Sequence, residues 1–259
     1  MKNFQLSAKI LSQKKIKGNY WHCELAAPLI AKNACPGQFI NIRVSDTYDP
    51  LLRRPLSIHG VKGAKIKIFY KVVGKATEIL ARKKKGELLD IIGPLGNGFA
   101  FGKRKTENGK QILVAGGMGV APLMFLAERL KKTTIQILVG ARTREELLCI
   151  NDFKQAGCLV SVATDDGSAG FQGRVSDLLK QLLQEAQFRP QTIYACGPRL
   201  MLKAVADMAN EYALTAQLSL EEHMSCGIGA CLGCVVKTKG GLKRVCKEGP
   251  VFAAKELAW

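Results

Sequence analysis

Four cysteines constrain this chain more than any other feature: Cys226, Cys231, Cys234 and Cys246. The first three form C-x4-C-x2-C, and the fourth returns from a later segment. Four thiolates at that spacing converge on the two irons of a [2Fe–2S] cluster. Gly227, Gly229 and Gly233 allow the loop between them to curl tightly. A structural zinc site is the competing reading. Zinc sites favour paired C-x2-C, however, and only one such pair is present. His223 lies three residues before Cys226 and is not counted as a ligand. Cys23, Cys35, Cys149 and Cys158 are scattered and read as structural. Nine cysteines is an odd number, and Met1–Leu6 lacks the charged-then-apolar layout of a secretion signal. A reducing, cytoplasmic setting is expected, with clustered thiols as metal ligands before disulfides.

A chain of 259 residues, 47% of them apolar, has room for more than one domain around sizeable cores. Three textures divide it. Residues 1–101 alternate in short stretches broken by Gly, Pro and Asn. In Lys65–Val72, residues Ile66, Ile68, Tyr70 and Val72 fall on one face, and Phe39–Val44 has the same period of two. The expectation is an antiparallel barrel or sandwich with one short helix near Thr77–Lys83. Gly93–Gly98 is read as a turn-rich linker closing it. Residues 102–215 alternate strands (111–115, 134–139, 159–163, 192–196) with helices (121–132, 175–186, 198–212). Repeated β–α units predict a parallel sheet covered on both faces. Residues 216–259 form a small cluster unit. The longest uncharged apolar stretch, 112–127, is interrupted by Gly116, Gly117, Gly119 and Pro122 and is too short to span a bilayer.

Two further motifs carry chemistry. Arg54-Pro55-Leu56-Ser57 offers a guanidinium for a diphosphate and a hydroxyl for a ring edge. Gly74-Lys75-Ala76-Thr77 follows at the start of a short helix, where N–H groups cradle phosphate. Singly, these are a basic turn and an ordinary helix cap; together, in this order, they point to a flavin dinucleotide. Gly116-Gly117-Met118-Gly119 and Pro122 lie between an apolar strand and a helix, a setting that admits a pyrophosphate. Pro122 replaces the third glycine of the usual dinucleotide fingerprint. The second strand ends Val139-Gly140-Ala141-Arg142 with no acidic residue, so NAD and NADP are not separated; Arg142 or Arg144 is able to meet a 2′-phosphate. Cys196-Gly197-Pro198 ends the fourth strand at the edge where such sheets bind ligands.

Charge narrows the partners. There are 39 Lys and Arg against 21 Asp and Glu, a net charge of +18. The basic residues fall in short groups, at Lys14 to Lys17, Arg82 to Lys85, Lys103 to Lys105 and Lys237 to Lys247. No nucleic-acid motif or aromatic stacking pattern accompanies them. An acidic protein partner is expected rather than nucleic acid.

As a set, Arg-x-Pro-x-Ser-type, Gly-x-x-Thr, Gly-Gly-x-Gly-x-Ala-Pro and Cys-Gly-Pro motifs resemble the ferredoxin–NADP reductase superfamily. The segments Glu221–Val236 and Lys243–Phe252 resemble the electron-transfer subunits of NAD-dependent (class 1B) dihydroorotate dehydrogenases. The resemblance implies a Greek-key FAD barrel, an α/β NAD domain and a [2Fe–2S] domain. It implies FAD contacts at Arg54, Pro55, Leu56, Ser57, Phe69, Tyr70, Lys71, Val72, Gly74, Ala76 and Thr77. NAD contacts map to Gly116, Gly117, Met118, Gly119, Pro122, Cys196, Gly197 and Pro198, and the cluster to Cys226, Cys231, Cys234 and Cys246. Ala76 stands where the family often has Gly, and the Cys234–Cys246 gap is short. An FMN-bearing catalytic subunit is implied as partner, in a heterotetramer of two of each, with dihydroorotate oxidation in pyrimidine synthesis. Electrons would pass from FMN through the cluster and FAD to NAD⁺, so no side chain is assigned as acid, base or nucleophile. A flavin and iron–sulfur reductase subunit for ferredoxin, hydrogenase or sulfide chemistry is the alternative.

Overall fold

A computed structural model describes residues 2–101, 110–130, 134–185 and 190–259. It comprises two units: Met1–Gly98 with Glu222–Val236 and Lys243–Pro250, and Phe99–Glu221 with Lys237–Leu242 and Val251–Trp259.

Period-two patterning builds the first unit. In chain order it has β1 (Phe4–Lys17), β2 (Tyr20–Ala26), α1 (Pro28–Asn33), β3 (Phe39–Arg43), β4 (Arg54–Lys62), β5 (Lys65–Lys71), α2 (Lys75–Arg82) and β6 (Leu88–Leu95). The strands close into an antiparallel barrel in the order β1-β2-β5-β4-β3-β6, the expected Greek-key arrangement. Ile10, Leu25, Ile40, Ile42, Ile58, Ile66, Ile68 and Ile91 are fully buried, one alternating set from each strand. Closure leaves no open sheet edge.

Two expectations fail here. The helix α1 is six residues long, too short to show a period, although Pro28 at its first turn marks its start. Gly93–Leu95 is not linker but the end of β6, paired to β1 through Phe4 and Gly93 and to β3 through Phe39 and Leu95. Proline is normally excluded from an internal strand. Here the β3–β6 register shifts between Phe39 and Asn41, and that irregularity accommodates Pro94.

The second unit alternates β7 (Gln111–Gly116), α3 (Val120–Arg129), β8 (Ile135–Ala141), α4 (Ile150–Gln155), β9 (Leu159–Thr164), β10 (Phe171–Gln172), α5 (Val175–Gln184), β11 (Thr192–Cys196), α6 (Arg199–Glu211) and β12 (Thr215–Ser219). A hairpin of β13 (Val235–Thr238) and β14 (Gly241–Arg244) precedes β15 (Val251–Ala253). The sheet order is β10-β9-β8-β7-β11-β12-β15, parallel except for β15. Every residue of β7 is buried, which explains its unbroken apolar run in mid-sheet. Val175, Leu179 and Leu183 form the buried stripe of α5. Helix α4, six residues long, is again too short to show a period in the sequence. The expected helix ends at Lys132 and Ala186, and the basic group Lys103–Lys105, lie outside the described residues. Among the described residues no helix is long and apolar enough to cross a membrane.

Candidate functional site

The loop from Cys226 to Cys234 curls through positive φ at Gly227, Gly229 and Leu232. That curl turns backbone donors toward sulfur. Ala230 and Cys231 donate to Cys226 Sγ at 3.3 and 3.4 Å, and Gly233 donates to Cys231 Sγ at 3.4 Å. Cys246 donates its N–H to Cys234 Sγ at 3.4 Å. These bonds bring Cys231 beside Cys226 and Cys246 beside Cys234. Among the described residues no three His, Cys, Asp or Glu side chains gather as a single-ion site. Two thiolates per iron and N–H groups directed at sulfur suit a binuclear cluster. Burial raises the Cys226 thiol, but the Ile228, Cys231 and Ala230 N–H groups and the Cys231 thiol outweigh it and bring the pKa to about 6. Burial, then the neighbouring Cys234, pushes Cys246 up to about 12.

Arg244 fastens the two cysteine segments. Its Nη1 donates to the Gly229 carbonyl at 2.6 Å, and its Nε donates to Glu248 Oε2 at 3.0 Å. Nη2 pairs with the other Glu248 oxygen, and this guanidinium holds the Glu248 carboxyl at about 2. Val245 N donates to the Cys234 carbonyl at 2.9 Å.

In the barrel, the flavin-type residues lie on the paired strands β4 and β5 and at the start of α2. The two arginines separate in role. Arg53 pairs with Asp90 and donates to the Asp90 carbonyl, tying the lead-in of β4 to β6. Arg54 donates to the Leu52 carbonyl at 2.5 Å and pairs with no carboxylate among the described residues. Its guanidinium is the one suited to a diphosphate. The Thr77 hydroxyl accepts from Val73 N at 2.9 Å and donates to the Gly74 carbonyl at 2.9 Å. It shapes the turn, leaving the N–H groups of Lys75 and Ala76 as the anion donors. The turn is open: a Cβ at Gly74 would meet nothing within 4 Å. Phe69 packs with Tyr20, His22 and His59. Tyr70 is 1% exposed and its hydroxyl accepts from Gln13 inside the barrel, so only its backbone remains for a ligand.

In the second unit a cavity of about 410 Å³ opens beside β7 and β8, lined by Gly116, Gly117, Arg142, Glu146, Asp165 and Arg174 among others, with Pro198 and Met201 opposite. This is the carboxyl edge of a parallel sheet, where such folds bind nucleotides. Gly119 permits the close packing beneath it, because a Cβ there would stand 1.9 Å from the Cys196 carbonyl oxygen. Cys196 is buried and its thiol is raised by that burial. Arg142, unassigned between roles in the sequence, donates to both oxygens of Glu146 at 3.1 and 2.5 Å. Asp165 and Arg174 carried no sequence signal; only the fold gathers them with Glu146. The i,i+4 spacing of Arg142 and Glu146 was the one available hint.

Comparison with known proteins follows the same division. The family described as the iron-sulfur cluster binding domain of dihydroorotate dehydrogenase B matches residues 221–258, and the oxidoreductase NAD-binding domain matches residues 113–207. A dihydroorotate dehydrogenase B (NAD(+)) electron transfer subunit from Desulforamulus reducens is 42% identical over 260 residues, covering 97% of each chain. Its counterpart from Geobacillus kaustophilus is 38% identical over 255 residues, covering 96% of each. A solved structure of an NADH-dependent reduced ferredoxin–NADP oxidoreductase, described for flavin-based electron bifurcation, has a TM-score of 0.85 at 33% identity. It covers 97% of this chain and 90% of that chain. A ferredoxin–NADP⁺ reductase from Neisseria gonorrhoeae, with bound FAD and NADP, has a TM-score of 0.67 at 18% identity, covering 80% of this chain and 91% of that one; it shares the fold.

Proposed function

Because this chain belongs to the dihydroorotate dehydrogenase B (NAD(+)) electron transfer subunits, we propose that it carries electrons from a dihydroorotate-oxidising catalytic partner through a [2Fe–2S] cluster and FAD to NAD⁺. The observation that carries this reading is the curled Cys226–Cys234 loop, whose backbone N–H groups are directed at the sulfurs of Cys226 and Cys231, with Cys246 N donating to Cys234 Sγ. Cys226, Cys231, Cys234 and Cys246 hold the cluster, with N–H donors at their sulfurs. Arg54, Pro55, Leu56 and Ser57, the segment Phe69–Val72 at the end of β5, and the Gly74–Thr77 turn hold FAD. Gly116–Gly119, Pro122 and Cys196–Pro198 hold the nicotinamide dinucleotide.

When bound, FAD would supply single-electron exchange with the cluster and hydride exchange with nicotinamide, chemistry that belongs to the cofactors. The chain positions and insulates. The N–H groups at the cluster sulfurs stabilise negative charge there, and the α2 and α3 N-termini receive phosphates. Arg142 is paired with Glu146 in the dinucleotide cavity. That pairing engages Arg142 away from a 2′-phosphate, and together with the NAD(+) in the relatives' name it supports NAD over NADP. The partner is an FMN-bearing catalytic subunit in a complex of two of each chain, working in pyrimidine synthesis in the cytoplasm, where thiols stay reduced.

A second reading, a subunit of a bifurcating ferredoxin–NADP oxidoreductase, draws on the TM-score of 0.85 at 33% identity. The 42% identity across 97% of both chains favours the first. The test is cofactor content with nucleotide preference. The isolated chain should hold about two irons and two sulfides per FAD and oxidise NADH with ferricyanide far faster than NADPH. Zinc in place of iron, or no flavin, would defeat the reading.

A further inference from the structure

Asn41 is fully buried on β3. Its Nδ2 donates to the carbonyl of Cys226 at 3.1 Å, which fixes the orientation of the amide. Its Oδ1 is buried and meets no donor among the described residues. Buried carbonyl oxygens are rarely left so, and an orphan of this kind points to a donor supplied by something that binds. Gln38, equally buried three residues earlier, is the contrast. Its Nε2 donates to the Gly96 carbonyl at 2.7 Å and its Oε1 accepts from Cys35 N at 2.8 Å.

Position says where the missing donor comes from. Ile40 and Ile42 point into the barrel core, so Phe39 and Asn41 face outward. The register sets Asn41 opposite Pro55 and Phe39 opposite Ser57. Residues opposed across an antiparallel ladder share a face. The face of β3 that carries the cluster loop therefore continues onto the face of β4 that carries Pro55 and Ser57. The loop is seated directly on the amide: a Cβ at Gly227 would meet Asn41 Nδ2 at 2.5 Å.

We propose that Asn41 is a positioning residue joining the two cofactor sites, its amide N–H holding the Cys226 carbonyl and its Oδ1 accepting a hydrogen bond from bound FAD. The imide N–H and the ribityl hydroxyls of FAD are donors of the required kind. The inference rests on the assignment of FAD to this barrel. It makes FAD binding and the cluster environment reciprocally linked, since one side chain contacts both.

The test uses the intact chain loaded with cluster and FAD. Flavin is stripped and titrated back while the EPR spectrum and midpoint potential of the reduced cluster are recorded. In the wild type, FAD should shift both. Asn41→Leu should abolish the shift and weaken FAD binding roughly tenfold or more. Gly227→Ala, though in the cluster loop, should also weaken FAD. Gly229→Ala has comparable positive φ, but its Cβ meets only the Lys247 side chain, nearest atom 3.0 Å away, so FAD affinity should stay at the wild-type value. If Asn41→Leu does not fold, the Gly227 and Gly229 pair decides. Wild-type FAD affinity in both Asn41→Leu and Gly227→Ala, or a wild-type cluster indifferent to FAD, would mean that a buried water meets Oδ1 and would overturn the inference. A wild-type chain that binds no FAD would instead refute the functional assignment beneath it.

Discussion

Replacing Gly119 with Ala should damage the dinucleotide site through backbone sterics alone. The added Cβ would lie 1.9 Å from the Cys196 carbonyl oxygen, 2.4 Å from its carbon and 3.0 Å from Gly197 N. Comfortable separations are about 3.5 Å, so the β7–α3 turn and the end of β11 must part by roughly 1.5 Å. All three neighbours are backbone atoms within a packed sheet, and none can swing aside. The cost belongs at the upper end of the ~1–3 kcal/mol range for overpacking. At about 2–4 °C per kcal/mol for a domain of this size, melting should fall by roughly 6–12 °C. Gly117→Ala is the control. Its Cβ meets nothing within 4 Å, and the variant carries only the strain of φ +53, about 1–2 kcal/mol. Differential scanning fluorimetry and NADH titration should rank Gly119→Ala below Gly117→Ala on both counts, with flavin and cluster spectra retained. A Gly119→Ala protein that melts with the wild type and holds NADH equally well would refute the reasoning.

Cys231→Ser should remove the cluster and leave FAD bound; full iron retention by elemental analysis would contradict the ligand assignment. Arg54→Ala should weaken FAD by roughly tenfold or more, as expected when a charged hydrogen bond to phosphate is lost, with little change in melting. Arg53→Ala should do the reverse, because its guanidinium is tied to Asp90; fluorescence titration and melting curves separate the two. Arg244→Ala should speed loss of the cluster absorbance, since it frees the Gly229 carbonyl and Glu248 together. Exposed Lys237, Lys239 and Lys247 are expected to dock against acidic surface, so partner affinity should fall steeply at about 0.5 M salt; a salt-independent affinity by ultracentrifugation would exclude that docking mode.

Much of this was legible in the sequence, for identifiable reasons. The candidate cluster cysteines are local, so the C-x4-C-x2-C spacing marks three of them, and Cys246 is the remote fourth of the same pattern. Barrel strands and the β–α alternation declare themselves through periods of 2 and 3.6. What escaped was non-local. Asn41 interrupts Phe39–Val44 on the side that alternation assigns to solvent, yet the segment that begins at Glu222 returns to the barrel and covers it. Pro94 reads as a turn because local rules exclude it from a strand, and only the shifted β3–β6 register makes room. Glu146, Asp165 and Arg174 meet in one cavity because the sheet order brings β8 beside β9, which no local pattern encodes.

As an electron transfer subunit of this family, the chain links dihydroorotate oxidation to NAD⁺. The direct measurement is dihydroorotate-dependent NAD⁺ reduction by the complex that co-purifies with the chain from its native cells. NADH formation is the predicted result, with NADP⁺ much the poorer acceptor, and the activity should disappear when the cluster is removed by Cys231→Ser. A co-purified complex that carries flavin and iron yet reduces no NAD⁺ from dihydroorotate would contradict the claim, and the partner in that complex would then identify the electron donor.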